Sequence, residues 1–288
     1  SDIMAKNLQL LKRRIKTSKN IAQMAKAMEM ISASKIKRSQ VASQNNKPYA
    51  ESITNMTSSV LQTFSSDNEV SFSHPYIMTK KAAKKLLIII SPDRGSCGSL
   101  NTNLFKKIME VESSNIDVIT VGKKAGIFAA KLNLNLISSF PMGSTLPDYT
   151  LVYQLKNLID EELESKSVGS VSILYADFVS LFSQIPIIKD LLPIELSKAA
   201  ENKSLDGTFF EPNSTEILNN LLPYYLEVQI YNALLQAFTS EQAARMVAMQ
   251  NAKNNASDIA EYLNLVYNRS RQERITNEIL DLANSTQT

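Results

Sequence analysis

The sequence has one cysteine, one histidine and no tryptophan among its 288 residues. A single cysteine, Cys97, excludes a disulfide framework, and a single histidine argues against a zinc cluster or a histidine-based triad. No apolar run reaches the roughly 18 residues of a membrane-spanning helix, and the first residues lack the apolar core of a signal peptide. We therefore expect no cofactor and no metal, and membrane association only through partner proteins.

Glycine and proline are absent from both ends of the sequence. Neither occurs in residues 3–47 or 224–288, although the chain has seven glycines and nine prolines. This absence favours two uninterrupted helices, of which the second would be about 95 Å long. A helix of that length must leave a compact domain or pair with another long helix. The two ends therefore predict one long antiparallel coiled coil.

Large apolar side chains recur every three or four residues in both predicted helices and should form the seam between them. In the first helix we expect the seam at Leu8, Leu11, Ile15, Ile21, Met24, Met28 and Ile31, interrupted by Ser18, Ala22 and Ala25. In the second we expect it at Tyr225, Val228, Leu235, Phe238, Ala243, Val247, Ala256, Ile259, Leu263 and Val266. Pro48 should kink or end the first helix, and Pro223 should kink the second. The difference in helix length predicts that roughly the last 20 residues, from Arg269, project alone as a tip.

The middle of the chain alternates short apolar runs with amphipathic segments. Strands are predicted at residues 86–90, 117–121, 134–138 and 171–176, with a fifth candidate at 185–190. Helices are predicted at residues 101–111, 123–131 and 151–163. Short connections between them indicate a largely parallel sheet covered on both faces. We divide the chain into an N-terminal coiled-coil helix (1–64), an α/β domain (80–196) and a C-terminal coiled-coil helix with its tip (210–288).

Positive charge is concentrated in the first predicted helix. The first 40 residues contain ten lysines and arginines and two acids, a local net charge of +8 against +3 for the whole chain. Such a helix suits an acidic partner, a phosphate backbone or an anionic lipid surface, or it forms a solvated face. A nucleic-acid-binding coiled coil therefore stays open as an alternative, although the basic segment lacks interleaved aromatic residues.

The glycine-containing segment SPDRGSCGSLN (residues 91–101) lies between a predicted strand and a predicted helix, where phosphates often bind. It matches neither the dinucleotide fingerprint nor the P-loop, so a structural turn is favoured over nucleotide binding. No paired carboxylates stand beside a nucleophile at helical spacing. An enzyme that uses this loop would lack catalytic residues, and the residues alone indicate a non-enzyme with a helical hairpin.

Four segments resemble the gamma subunit of F-type ATP synthase. They are KAMEMISASKIKRSQ (26–40), DRGSCGSLN (93–101), SEQAARMVAMQNAKNNA (240–256) and YNRSRQERITNEI (267–279). The similarity runs nearly end to end, and the last two segments are highly specific. It implies an antiparallel coiled coil of both termini with a Rossmann-like α/β domain between them.

The resemblance also implies a non-catalytic rotor shaft that couples proton-driven rotation of a membrane ring to ATP synthesis or hydrolysis. Its implied partners are the alpha and beta subunits of the catalytic hexamer, the epsilon subunit and the membrane c-ring, with no nucleic acid. Family positions important for coupling match Met28, Arg245, Gln272, Thr276 and Glu278, while Glu211 with Phe210 matches the region that approaches the ring. The implied location is the cytoplasmic face of a bacterial inner membrane or, alternatively, the matrix side of the mitochondrial inner membrane.

We predict that the isolated chain neither hydrolyses ATP nor binds it tightly, because it supplies no phosphate cradle, metal ligand or general base. Isothermal titration calorimetry should detect no binding at micromolar ATP. Micromolar affinity with a stoichiometry near one would contradict this prediction.

Overall fold

The computed structural model describes residues 2–66, 74–77, 84–110, 115–165, 168–194 and 214–285. Its helices and strands, in chain order, are α1 (Asp2–Ser66), β1 (Lys84–Ile90), α2 (Leu100–Met109), β2 (Ile116–Val121), α3 (Lys123–Lys131), β3 (Asn135–Phe140), α4 (Tyr149–Glu164), β4 (Val168–Ser180), β5 (Ser183–Leu192) and α5 (Ser214–Ser285). The chain forms two compact units, one of residues 1–32 with 245–288 and one of residues 33–244. Glu211 and Phe210 lie outside the described residues.

The larger unit is built on a five-stranded sheet with the order β3-β2-β1-β4-β5. β1 pairs in parallel with β2 and β4, and β2 pairs in parallel with β3. β5 pairs antiparallel with β4, because the two-residue turn between Ser180 and Ser183 can only return the chain in the opposite direction. The predicted α/β fold with a largely parallel sheet is thus confirmed.

The strands divide their apolar side chains between the two faces of the sheet. In β1, Leu86, Ile88 and Ile90 face a core completed by α4, α5 and the end of α1, whereas Leu87 and Ile89 face α2 and α3. All five are buried. Each such side chain stabilises the fold by about 1.5–3 kcal/mol, so the sheet holds helices on both faces.

The two long helices contribute directly to this core. Val60 and Leu61 of α1 and Leu222 of α5 are buried in the same cluster as β1 and β4. Pro48 lies inside α1 and Pro223 inside α5, so neither proline ends its helix, and of the two outcomes expected for Pro48 the helix end is wrong. An internal proline costs about 3 kcal/mol, and burial of several side chains on the following turns offsets that cost.

Asp93 in the glycine loop connects three segments at the carboxyl end of the sheet. Its Oδ1 accepts hydrogen bonds from the backbone N–H of Lys123 at 2.9 Å and of Met142 at 3.3 Å, and its Oδ2 accepts one from Gly143 at 2.9 Å. Gly122 has a φ of 99°, and a Cβ there would lie 1.9 Å from the carbonyl oxygen of Ser91. The loop therefore packs tightly against the segment between β2 and α3.

Replacing Asp93 with Ala should lower the free energy of unfolding of the larger unit by about 2 kcal/mol, because three backbone donors lose a charged acceptor. Urea unfolding followed by tyrosine fluorescence measures this loss, since most tyrosines lie in that unit. The control is Arg94→Ala, an exposed neighbour, which should change stability by less than about 0.5 kcal/mol. Equal stability of the two variants would show that Asp93 does not organise the loop.

Candidate functional site on the paired helices

In the smaller unit, α1 buries one narrow stripe. Between residues 6 and 32 every side chain off this stripe is exposed. The stripe has the heptad spacing of a coiled coil and consists of Leu8, Leu11, Ile15, Ser18, Ala22, Ala25, Glu29 and Ser32. On α5 the same spacing joins the buried or half-buried residues Met249, Lys253, Ala256, Ala260, Leu263, Tyr267, Ser270 and Arg274. These two sets form the seam.

The seam differs from the one predicted. Ile21, Met24, Met28 and Ile31 are exposed, Met24 by 66%, while Ser18, Ala22 and Ala25 lie in the seam instead of interrupting it. Ile259 of α5 is exposed as well. The prediction followed side-chain size and changed heptad phase after Ile15, whereas the helices keep the phase and approach through small side chains.

An ion pair crosses the seam and defines how the helices align. Lys253 Nζ lies 2.8 Å from Glu29 Oε2 and donates a hydrogen bond to it. As many residues separate Glu29 from Leu8 as separate Lys253 from Arg274, so in an antiparallel pair Leu8 lies level with Arg274. By the same count Asp2 lies level with Leu280, and α5 continues for only about five residues beyond it.

The predicted 20-residue solitary tip is therefore wrong. Residues from Arg269 to Leu280 lie beside the start of α1, because the helices extend through both prolines and are offset by less than the length estimate assumed. Ser270 and Arg274 are half-buried in this segment. The burial thus shows α5 packed against α1 as far as Arg274, whereas the side chains of residues 275–280 are exposed.

The family-matched residues fall at separate levels of the two helices. Met28 is 38% exposed on α1, and Arg245 is half-buried on α5. Gln272, Thr276 and Glu278 are exposed near the end of α5, about 27–36 Å along the helix axis from the level of Met28. The structure groups these last three residues and keeps Met28 and Arg245 apart from them.

Two of these side chains have partners within α5. The Thr276 hydroxyl donates a hydrogen bond to the carbonyl of Gln272 at 3.0 Å. Glu278 Oε1 lies 3.3 Å from Arg274 Nε, an ion pair without the alignment of a hydrogen bond. At an exposed position such a pair contributes at most about 1 kcal/mol, so the Glu278 carboxylate can exchange it for another cation at little cost.

The outer surface of α1 in this unit is basic and apolar. Its exposed cations are Lys6, Lys12, Arg13, Arg14, Lys16, Lys19 and Lys26. The only acid of this helix segment beyond Asp2 is Glu29, which is engaged in the seam. Part of this surface is a groove of about 410 Å³ in which arginine and apolar side chains lie side by side. It is lined by Leu10, Arg13, Arg14, Thr17, Ser18, Ile259 and Leu263. This surface fits partners that present acidic and apolar side chains together.

The Glu29–Lys253 pair was missed in the sequence. Both residues occupy heptad positions, which a prediction based on apolar residues alone passes over. Counting strict heptads from Leu8 and Ile15 reaches Glu29 directly and would have found it. A charged residue at such a position is the signal of an interhelical partner.

The described residues contain neither a cluster of metal ligands nor a helix suited to span a membrane. In that part of the chain no three His, Cys, Asp or Glu side chains are arranged to hold a metal ion. No helix described there is long and apolar enough to cross a membrane.

The comparisons with known proteins agree with these features. A family model described as ATP synthase matches residues 7–287. An ATP synthase gamma chain of Dehalococcoides mccartyi is 37% identical over 280 residues, with 96% of both chains covered. That of Brevibacillus brevis is 32% identical over 285 residues, with 97% of both chains covered.

Solved structures share the fold. A chain of the mitochondrial ATP synthase of Euglena gracilis matches with a TM-score of 0.67 at 20% identity, covering 98% of this chain and 94% of that one. A chain of the central stalk and c-ring of the Tetrahymena thermophila enzyme matches with a TM-score of 0.58 at 24% identity, covering 80% of this chain and 99% of that one. From the family model and the curated relatives it follows that the chain belongs to the family of ATP synthase gamma chains.

Proposed function

We propose that this chain is the central rotor shaft of an F-type ATP synthase. Its rotation couples proton-driven turning of the membrane ring to ATP synthesis or hydrolysis on the alpha/beta hexamer. The observation that carries the proposal is the smaller unit, in which two helices bury one continuous seam and present a basic and apolar outer surface. A shaft needs these two properties, because it must hold together internally while it contacts a surrounding ring.

The outer surface supplies two kinds of contact with the hexamer. Exposed apolar side chains such as Ile21, Met24 and Met28 can slide along apolar rings without forming fixed bonds. Exposed cations can pair with acidic loops at particular angles, and such pairs gain strength where water is partly excluded. Because the shaft is asymmetric, each angle favours a different state of each catalytic site, which is coupling through differential contacts.

The family-matched residues take roles in this scheme. Met28 and Arg245 contact the hexamer at two levels of the shaft, and Gln272, Thr276 and Glu278 contact it near the end of α5. Their exposure or partial exposure supports these roles. Glu211 takes part in the contact with the c-ring and the epsilon subunit.

The chain itself performs no catalytic step. In the larger unit, the Asp93 carboxylate accepts the Lys123 N–H at the start of α3, where a nucleotide phosphate would need free backbone donors. ATP is therefore bound and cleaved on the partner subunits. The chain belongs to a complex on the cytoplasmic face of a bacterial inner membrane, as its bacterial relatives suggest, and reaches the membrane through its partners.

Two engineered disulfides test whether the chain rotates inside the hexamer or keeps a fixed position there. Ala22→Cys with Ala260→Cys joins level seam positions of the two helices, and it should leave ATPase turnover nearly intact because the shaft turns as one body. A disulfide from Arg245→Cys to a facing cysteine in a beta subunit should stop multiple turnovers until reductant is added. Turnover blocked by the internal disulfide but unaffected by the disulfide to the beta subunit would refute the rotor proposal.

Truncation tests the end of α5. Removing residues from Asn284 should weaken coupled turnover without abolishing it, because the removed residues are polar and the described seam ends at Arg274. Removing Arg269 onward should damage assembly or coupling severely, because Leu8 and Leu11 would lose their facing helix. The two truncated variants are compared by measuring proton transport per ATP hydrolysed in membrane vesicles. Equal values for both would contradict this account of the end of α5.

A further inference from the structure

The seam of the smaller unit has an unusual composition around its one described interhelical ion pair. Glu29 and Lys253 are close together in space although 224 positions separate them in sequence. Their side chains are only 23% and 28% exposed. Of the six neighbouring seam positions, one carries Met249 and the other five carry small side chains, namely Ala22, Ala25, Ser32, Ala256 and Ala260.

Small side chains hold two helices close together but fix their relative position weakly. A coiled coil with large residues interlocks each side chain with four residues of the facing helix, and sliding disrupts that packing. Alanine and serine present little to interlock, so a slide of 1–2 Å (about one side-chain radius) changes their contacts only slightly. Over this part of the shaft, apolar packing alone leaves sliding poorly resisted.

The ion pair supplies the missing resistance. A slide that moves Lys253 Nζ more than about 1 Å farther from Glu29 Oε2 would break the 2.8 Å hydrogen bond. It would also leave two largely buried charges unpaired, which is far more costly than a shift of alanine against alanine. The pair therefore makes the observed alignment of the helices the favoured one.

The Glu29–Lys253 ion pair lies next to the surface that is proposed to contact partner subunits. Met28, adjacent to Glu29 on α1, is exposed to partners. A force applied to Met28 would act on α1 alone unless α1 were fixed to α5 at that level. We propose that Glu29 and Lys253 are positioning residues that fix α1 to α5 beside Met28, so that force received by one helix moves both. The proposal rests on the rotor function for its consequence, and on the seam alone for its structural part.

The structural part is tested by the distance between spin labels on the full-length chain. Gln23→Cys and Asn255→Cys place labels at exposed positions on α1 and α5, and buried Cys97 stays unlabelled. Double electron–electron resonance should show a distribution of label-to-label distances about twofold broader in Glu29→Gln than in the parent protein. The charge-exchanged pair Glu29→Lys with Lys253→Glu should restore the narrow distribution. An unchanged width in Glu29→Gln would overturn the proposal without affecting the rotor assignment.

The functional part is tested in the assembled complex. Glu29→Gln should lower proton transport per ATP hydrolysed by about twofold, and the charge-exchanged pair should recover the lost coupling. Glu261→Gln is the matched control, since it removes a carboxylate from an exposed position of α5, and it should retain parental coupling. Failure of the exchanged pair to recover coupling would mean that Glu29 acts on a partner subunit and would refute the positioning role.

A covalent substitute for the ion pair completes the test. In the Glu29→Gln background, a disulfide between Ala22→Cys and Ala260→Cys should restore coupling when oxidised and lose it again when reduced. Restoration by a bond that carries no charge would show that the pair acts by fixing the helices together. Coupling that stays low after complete disulfide formation would exclude that explanation, while the beta-subunit disulfide described above tests the rotor independently.

Discussion

The antiparallel packing of α1 against α5 is the interaction on which the smaller unit depends. Neither helix has another neighbour among the described residues of that unit, so each buries its apolar stripe only against the other. Leu8 and Ile15 of α1 provide large buried side chains. Small residues and the Glu29–Lys253 pair continue the seam. This division leaves the outer faces free for charge and for sliding apolar contacts.

In the larger unit a carboxylate takes up a backbone donor at an edge where folds of this type hold phosphate. Its sheet places the glycine loop and the start of α3 at the edge where such folds bind phosphate. Here the Asp93 carboxylate accepts hydrogen bonds there, and Gly122 allows the chain to approach Ser91 closely. Function therefore has to be argued from the site, since the fold hosts many activities.

Much of the architecture could be predicted from the sequence, because long stretches without glycine and proline and short apolar runs are strong local signals. The two helices and the parallel strands followed from them, whereas the family followed from the resemblance of four segments to the gamma subunit of F-type ATP synthase. The unbroken passage of α1 through Pro48 did not follow, since burial elsewhere in the helix decides whether a proline is tolerated. Nor did the alignment of the helices, which depends on contacts between residues more than 200 positions apart. The seam was misplaced because Met24 and Met28 are large but out of phase.

The central claim is that this chain turns as one shaft inside a ring of catalytic subunits. Single-molecule observation of the immobilised complex, with a probe attached to the larger unit, tests it most directly. We predict that the probe rotates in one direction, in three equal steps per turn, while ATP is hydrolysed, because the ring has three equivalent catalytic positions. Continued ATP hydrolysis by complexes whose probe stays at one angle relative to the ring would contradict the account.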